Sequence, residues 1–94
     1  MLGACSINRV ILMGRLTADP ELKQTQSGVS VCQFTVAVTR ARADQNGERQ
    51  SDFINVVAWR QTAEFVCRYF NKGRLILVEG ELRTRTYDDK RYPD

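Results

Sequence analysis

The sequence predicts a mainly β, single-domain protein with one helix late in the chain, and three observations carry that reading. Short runs rich in Val, Ile, Phe and Thr are separated by clusters of turn-forming residues. An Asn46-Gly47 pair, the strongest short-range hairpin signal, lies between two of those runs. Only one segment, residues 61–73, places its apolar residues at helical spacing. Ninety-four residues suit one domain near the small end of what a single core supports, and 43% hydrophobic with 27% charged residues is a globular composition.

Taken in order, Ile7 to Leu16 (INRVILMGRL) is a strongly apolar strand, ended by the turn-like Thr17-Ala18-Asp19-Pro20. Asp19, ahead of a proline, reads as a turn residue. Gln26-Ser27-Gly28 marks another turn, and a long strand follows from about Val29 to Thr39. Its apolar residues change parity, from Val29 and Val31 to Phe34, Val36 and Val38, which predicts a bulge or sharp bend. The chain then returns antiparallel through residues 52–60. Ala63, Val66, Cys67 and Phe70 form the apolar stripe of the helix. Gly73 is expected to stop it as a C′ glycine, after Lys72 in the last turn. Leu75 to Val78 restart a strand, with Gly80 as a bulge or close approach, and the tail RTRTYDDKRYPD is polar and aromatic.

Strand, long bent strand, strand, helix, strand is the order of a Greek-key barrel of the OB type, with the helix between the third and fourth strands. Other small α+β and barrel folds share much of this pattern.

Composition excludes several functions. The three cysteines, Cys5, Cys32 and Cys67, are odd in number and have no metal-ligand spacing, and there is no histidine. A disulfide framework and a Cys/His zinc site are therefore not expected; Cys32 and Cys67 read as small buried hydrophobes of a reducing cytoplasm. No cofactor, metal site or catalytic residue is expected, since a histidine base and a Walker-type phosphate loop are both missing. Asp88 and Asp89 adjoin Lys90 and Arg91 as a solvated charge run. Leu2-Gly3-Ala4-Cys5 mimics a lipoprotein cleavage box, but a secretory signal needs an apolar region of roughly 7–15 residues ahead of it. No run has membrane-spanning length.

The remaining clue lies on one face of a strand. In SDFINVVAWRQ, Ile54, Val56 and Ala58 share a core face, which leaves Phe53, Asn55, Val57 and the only tryptophan, Trp59, on the other. Beyond Leu75 the odd positions carry Glu79, Glu81, Arg83, Arg85 and Tyr87, opposite Ile76, Val78 and Leu82. Arg9, Arg15, Arg40, Arg42, Arg49 and Lys72 add cations at strand ends and in the long loop, within a balance of 14 Lys and Arg against 11 Asp and Glu. Aromatics interleaved with cations are what single-stranded nucleic acid requires: bases stack on the rings, and phosphates meet Arg or Lys. The same aromatics also suit a sandwich core or a subunit interface.

INRVILMGRLTADPELKQTQSG, then FTVAVTR, SDFINVVAWRQTAEFVCRYFNKG and VEGELRTRTY, together and in order, closely resemble the bacterial single-stranded DNA-binding protein family, from about Ser6 to Tyr92. The resemblance implies an OB-fold subunit of a homotetramer that wraps single-stranded DNA in replication, recombination and repair, in the bacterial cytoplasm and nucleoid. It places base stacking on Phe53, Trp59 and Tyr87, and backbone contacts on Arg9, Arg15, Lys72, Arg83 and Arg85, with Arg49 in the loop. Arg42 stands where an aromatic is common in the family; it is expected among the backbone contacts, with a guanidinium that can also stack. Ile7, Asn8, Val10 and Asn55 fall where family subunits meet. The family's domain continues past Asp94, through a returning hairpin, a last strand and an acidic-tipped tail. Residues 1–94 are thus expected to be one OB-fold domain, shortened at the C-terminus, without tail-dependent partners. A tailless primosomal-type OB module, working mainly through protein contacts, is the alternative.

Overall fold

The computed structural model describes residues 5–84. Five strands and one helix follow the chain as β1 (Val10–Leu16), β2 (Glu21–Gln24), β3 (Ser30–Ala43), β4 (Arg49–Trp59), α1 (Arg60–Tyr69) and β5 (Leu75–Gly80). All pairings are antiparallel. The hub is β3. One of its edges pairs with β4 along nearly its whole length, while the other is shared between β2 near its start and β1 further on, and β5 adds to the free edge of β1. This mainly β sheet with a single helix between the hairpin and the last described strand is consistent with an OB fold.

Even-numbered side chains of β3 build the core. Cys32, Phe34 and Val36 are buried with Leu16 from β1, Ala58 from β4, Ala63 and Val66 from α1 and Ile76 from β5. Leu12, Val38, Val56, Cys67, Phe70 and Val78 pack around them. The helix therefore turns the expected stripe inward, and the strand faces alternate as period-two patterning requires.

Four local expectations are corrected. The parity change in β3 produces no bulge where it was expected: the ladder to β4 is unbroken from Val31 to Thr39, and the irregularity falls between Thr39 and Ala43. Buried Ser30 and Cys32 already occupy the even face, so Val31 simply lies on the other one. β1 starts at Val10 rather than Ile7. Ahead of it the Asn8 amide both donates to the Leu82 carbonyl (2.8 Å) and accepts from the Leu82 N–H (2.9 Å), replacing backbone pairing. The helix ends at Tyr69, with Arg68 in its last turn and Phe70 already extended, so Gly73 is not its C′ residue. At φ +86°, Gly73 instead serves a separate turn, closed by the Arg74 N–H on the Asn71 carbonyl (3.1 Å). Leu82, expected to face the core, is exposed because β5 has ended at Gly80.

Two further features went unanticipated. Glu21–Gln24 forms a strand although each of its residues is exposed, leaving no alternation to read. Asp19 does more than turn the chain: its carboxylate accepts the Lys72 backbone N–H at 2.7 Å and ties the first turn to the segment after the helix. The hairpin itself forms as expected. Asp44 Oδ1 accepts from the N–H groups of Asn46 and Glu48, both at 2.9 Å, and Gly47 takes φ +80°.

All three cysteines are free thiols. Burial, followed by the neighbouring Cys67 side chain, pushes the Cys32 thiol up to about 12. Because this folded-state value is raised, its stabilising effect is complete below the unfolded thiol value of ~8.5 and is lost as pH rises from there toward about 12. Native protein treated with a small disulfide reagent at neutral pH should react quickly at exposed Cys5 and not at Cys32 until denaturant is added. Rapid labelling of Cys32 in the folded state would contradict this packing.

Candidate nucleic-acid interface

The outer face of the sheet is set by the register of β3 with its neighbours. Directly opposed residues of an antiparallel pair project to the same side. Trp59 opposes Val31, Val57 opposes Gln33, Asn55 opposes Thr35 and Phe53 opposes Ala37. Phe53 is 67% exposed and Trp59 52%, whereas Ala58 is buried and Ile54 and Val56 are half-buried. Both aromatics thus stand on the solvent side of one strand, about 20 Å apart at ~3.4 Å per residue. Between them the Thr35 hydroxyl donates to Asn55 Oδ1 at 2.9 Å, leaving the Asn55 amide N–H groups directed to no partner among the described residues.

The β4 strand runs straight into the helix, with no linker. Trp59 is the residue before the first helical turn, still extended at φ −125°, and Arg60 reverses the chain at φ +58°. A non-glycine residue in this left-handed region carries a cost of order 1–3 kcal/mol. The strain buys an abrupt corner that keeps Trp59 at the end of the strand, on the sheet's outer face.

On the far side of β3, Arg15 opposes Ala37 and stands in the same transverse row as Phe53. One of its guanidinium N–H groups donates to the Gly73 carbonyl at 3.0 Å, which fixes the head while leaving other donors for a ligand. Lys23, on the strand absent from the sequence reading, opposes Val31 and so shares a row with Trp59. The only sequence signal for it is a four-residue polar run between two turns.

Other expected backbone-binding cations are dispersed. Arg9 pairs with Glu79, and Arg83 with Glu81 at 2.9 Å, both on the exposed surface. Arg42 lies at the exposed end of β3 and Arg49 opposes Ala43 at the start of β4, so both flank the hairpin loop. Nearby, Arg40 and Asp52 pair through two hydrogen bonds, and the Arg40 guanidinium holds the Asp52 carboxyl below the usual carboxylate range. The Lys72 side chain is exposed beside the Asp19 anchor. Arg85 and Tyr87 lie outside the described residues. Among the described residues no cluster of three or more His, Cys, Asp or Glu is arranged to hold a metal ion. Nor is any described helix long and apolar enough to cross a membrane.

An exposed apolar patch further across the same side of the sheet escaped the sequence reading. β1 and β5 pair with Met13 opposite Leu77, Ile11 opposite Glu79 and Arg15 opposite Leu75. Ile11, Met13 and Leu77 are 63%, 57% and 68% exposed, and Leu75 is also exposed, giving a contiguous apolar patch. Ile7 and Val10, the expected subunit contacts, adjoin it in sequence, whereas Asn8 spends its amide on Leu82 and Asn55 lies on β4 between Phe53 and Trp59.

A family model described as "Single-strand binding protein family" matches residues 7–92. A Bacillus cereus protein named single-stranded DNA-binding protein is 57% identical over 82 residues, covering 87% of this chain and 48% of that protein. Its namesake in Halalkalibacterium halodurans is 54% identical over 83 residues, 88% of this chain and 49% of its own length. Single-stranded DNA-binding protein 2 of Listeria monocytogenes is 52% identical over 83 residues, 88% of this chain and 52% of its own. The chain spans about half the length of the curated relatives it matches.

Proposed function

We propose, because the chain belongs to the single-strand binding protein family, that it binds single-stranded DNA with little regard to sequence and without catalysing a reaction. The observation that carries this reading is the placement of Phe53 and Trp59, exposed on one sheet face in rows that each hold a cation two strands away. Bases offer a π-face whatever their identity, and stacking each on an aromatic ring is worth roughly 1–3 kcal/mol. Cations alongside neutralise phosphates and release counterions, with a salt slope of about −0.7 per contact. A duplex hides its π-faces and is a poor ligand for such a surface. Tyr87 and Arg85 extend the site in this reading, with Arg9, Arg42, Arg49, Lys72 and Arg83 lining its approaches. Binding would protect single strands during replication, recombination and repair in the bacterial cytoplasm. The primosomal-type alternative is not favoured.

Residues 1–94 act, in this reading, as one OB-fold DNA-binding domain within a homotetramer. The apolar face of Ile11, Met13, Leu75 and Leu77 supports self-association, because a patch of this kind is covered in most stable assemblies.

Trp59, as the only tryptophan, makes the reading directly testable. Titration with an oligo(dT) of about 35 nucleotides should quench its fluorescence to saturation, and the affinity should fall as salt rises. Unchanged emission from folded protein at saturating oligonucleotide would remove Trp59 from the DNA.

A further inference from the structure

The register of the sheet pairs each exposed aromatic with its own cation. Phe53, Ala37 and Arg15 form one row across β4, β3 and β1; Trp59, Val31 and Lys23 form another across β4, β3 and β2. In both rows the aromatic stands two strands from the cation, roughly 10 Å at the usual interstrand spacing. In both, the residue between them is short, Ala37 or Val31, so the sheet is low between ring and charge. Glu21 opposes Gln33 and lies on the same flank, between Lys23 and the Arg15 position. A carboxylate there repels phosphate, so the flank is two separate cationic sockets and not a continuous stripe.

Resting on the single-stranded DNA reading above, we propose that Lys23 is a phosphate-binding residue matched to Trp59, as Arg15 is to Phe53. Each row seats one nucleotide, base on the ring and phosphate at the cation. The short polar strand β2 thereby becomes part of the binding surface. Three facts support this. Lys23 is exposed, makes no side-chain hydrogen bond or ion pair among the described residues, and is held in fixed register by the four-residue ladder of β2 to β3. Its flexible stem suits a point-charge contact with a phosphate.

The pairing predicts a specific pattern of coupling. A phosphate is held near Lys23 only while its base is anchored on Trp59, so the two losses overlap. Lys23 and Phe53 serve different nucleotides about 20 Å apart, and their losses should multiply independently. The experiment is a double-mutant cycle by anisotropy of fluorescein-labelled oligo(dT), using Lys23→Gln, Trp59→Ala, Phe53→Ala and the two doubles containing Lys23→Gln, each over a range of salt. Lys23→Gln removes charge from an exposed side chain, so circular dichroism should match the parent. The expected results are a salt slope smaller in magnitude by about 0.7 for Lys23→Gln, a fold-loss for Lys23→Gln with Trp59→Ala well below the product of the singles, and simple multiplication with Phe53→Ala. If the parent binds but Lys23→Gln leaves the slope unchanged, or couples equally to both aromatics, the row pairing is overturned and the DNA-binding reading stands. If the folded parent does not bind the oligonucleotide, both fall together.

Discussion

Replacing Gly14 by alanine is expected to destabilise the fold by roughly 1–3 kcal/mol, the range that overpacking usually costs. Gly14 is buried in β1, opposite Ile76 of β5 and beside Arg15, whose partner on β3 is Ala37. A Cβ at this position would overlap the Ala37 carbonyl oxygen and lie 2.8 Å from Val36 Cγ1 and 2.9 Å from the Ala37 carbonyl carbon. Two of those three atoms are backbone of the hub strand, which cannot step aside without disturbing its ladders to β1 and β4. The opposing gain, from restricting the unfolded chain, is about 0.4–1 kcal/mol and does not offset such a clash. Gly80→Ala is the matched control, since a Cβ there meets nothing within 4 Å and its φ is not in the left-handed region. In urea, Gly14→Ala should lower the unfolding midpoint clearly while Gly80→Ala leaves it unchanged or slightly raised. In a domain of this size each lost kcal/mol lowers Tm by about 4–8 °C. Equal midpoints for the two variants would mean that β1 does not approach β3 as described.

That close approach also marks where the sequence was silent. The inward and outward faces of β4 were readable because Ile54, Val56 and Ala58 alternate strictly with Phe53, Asn55, Val57 and Trp59. The helical stripe was readable for the same reason. β3 misled because the apolar pattern omits Ser30, a polar residue buried all the same, its hydroxyl donating to the Glu64 carboxylate of α1 at 2.9 Å. A satisfied hydroxyl costs little to bury, so polarity was a poor guide to facing. β2 was invisible because a short, fully exposed strand has no face to encode; its register is set by the backbone of β3. The site divides along the same line. Phe53 and Trp59 follow from one strand's parity, but which cation meets which ring depends on pairings between strands distant in sequence. Arg9 and Arg83 illustrate the gap: the family resemblance marked both for the DNA backbone, but the carboxylate that the fold places beside each was not readable from the sequence.

Substituting the aromatics should have the largest effect on binding. In the proposed reading, Trp59→Ala and Phe53→Ala each remove one stacking platform, an expected loss of roughly 1–3 kcal/mol, which is about 5-fold to 150-fold in affinity. Neither should unfold the protein, because both rings stand on the solvent face and neither belongs to the buried cluster. Surface changes of this kind usually alter stability by less than ~0.5 kcal/mol. With the rings about 20 Å apart, the double variant should lose close to the product of the two single effects. The salt slope should change little in either single variant, since stacking releases no counterions, in contrast to the loss of a phosphate-binding cation. Ring and charge contributions are therefore separable in one data set: intercepts fall for the aromatics, slopes for the cations. A Trp59→Phe variant should recover most of the affinity, because a π-face is what the base requires, whereas Trp59→Leu, apolar but without that face, should not. Equal recovery by leucine would show that the strand end offers only an apolar contact, and base stacking at this position would have to be abandoned.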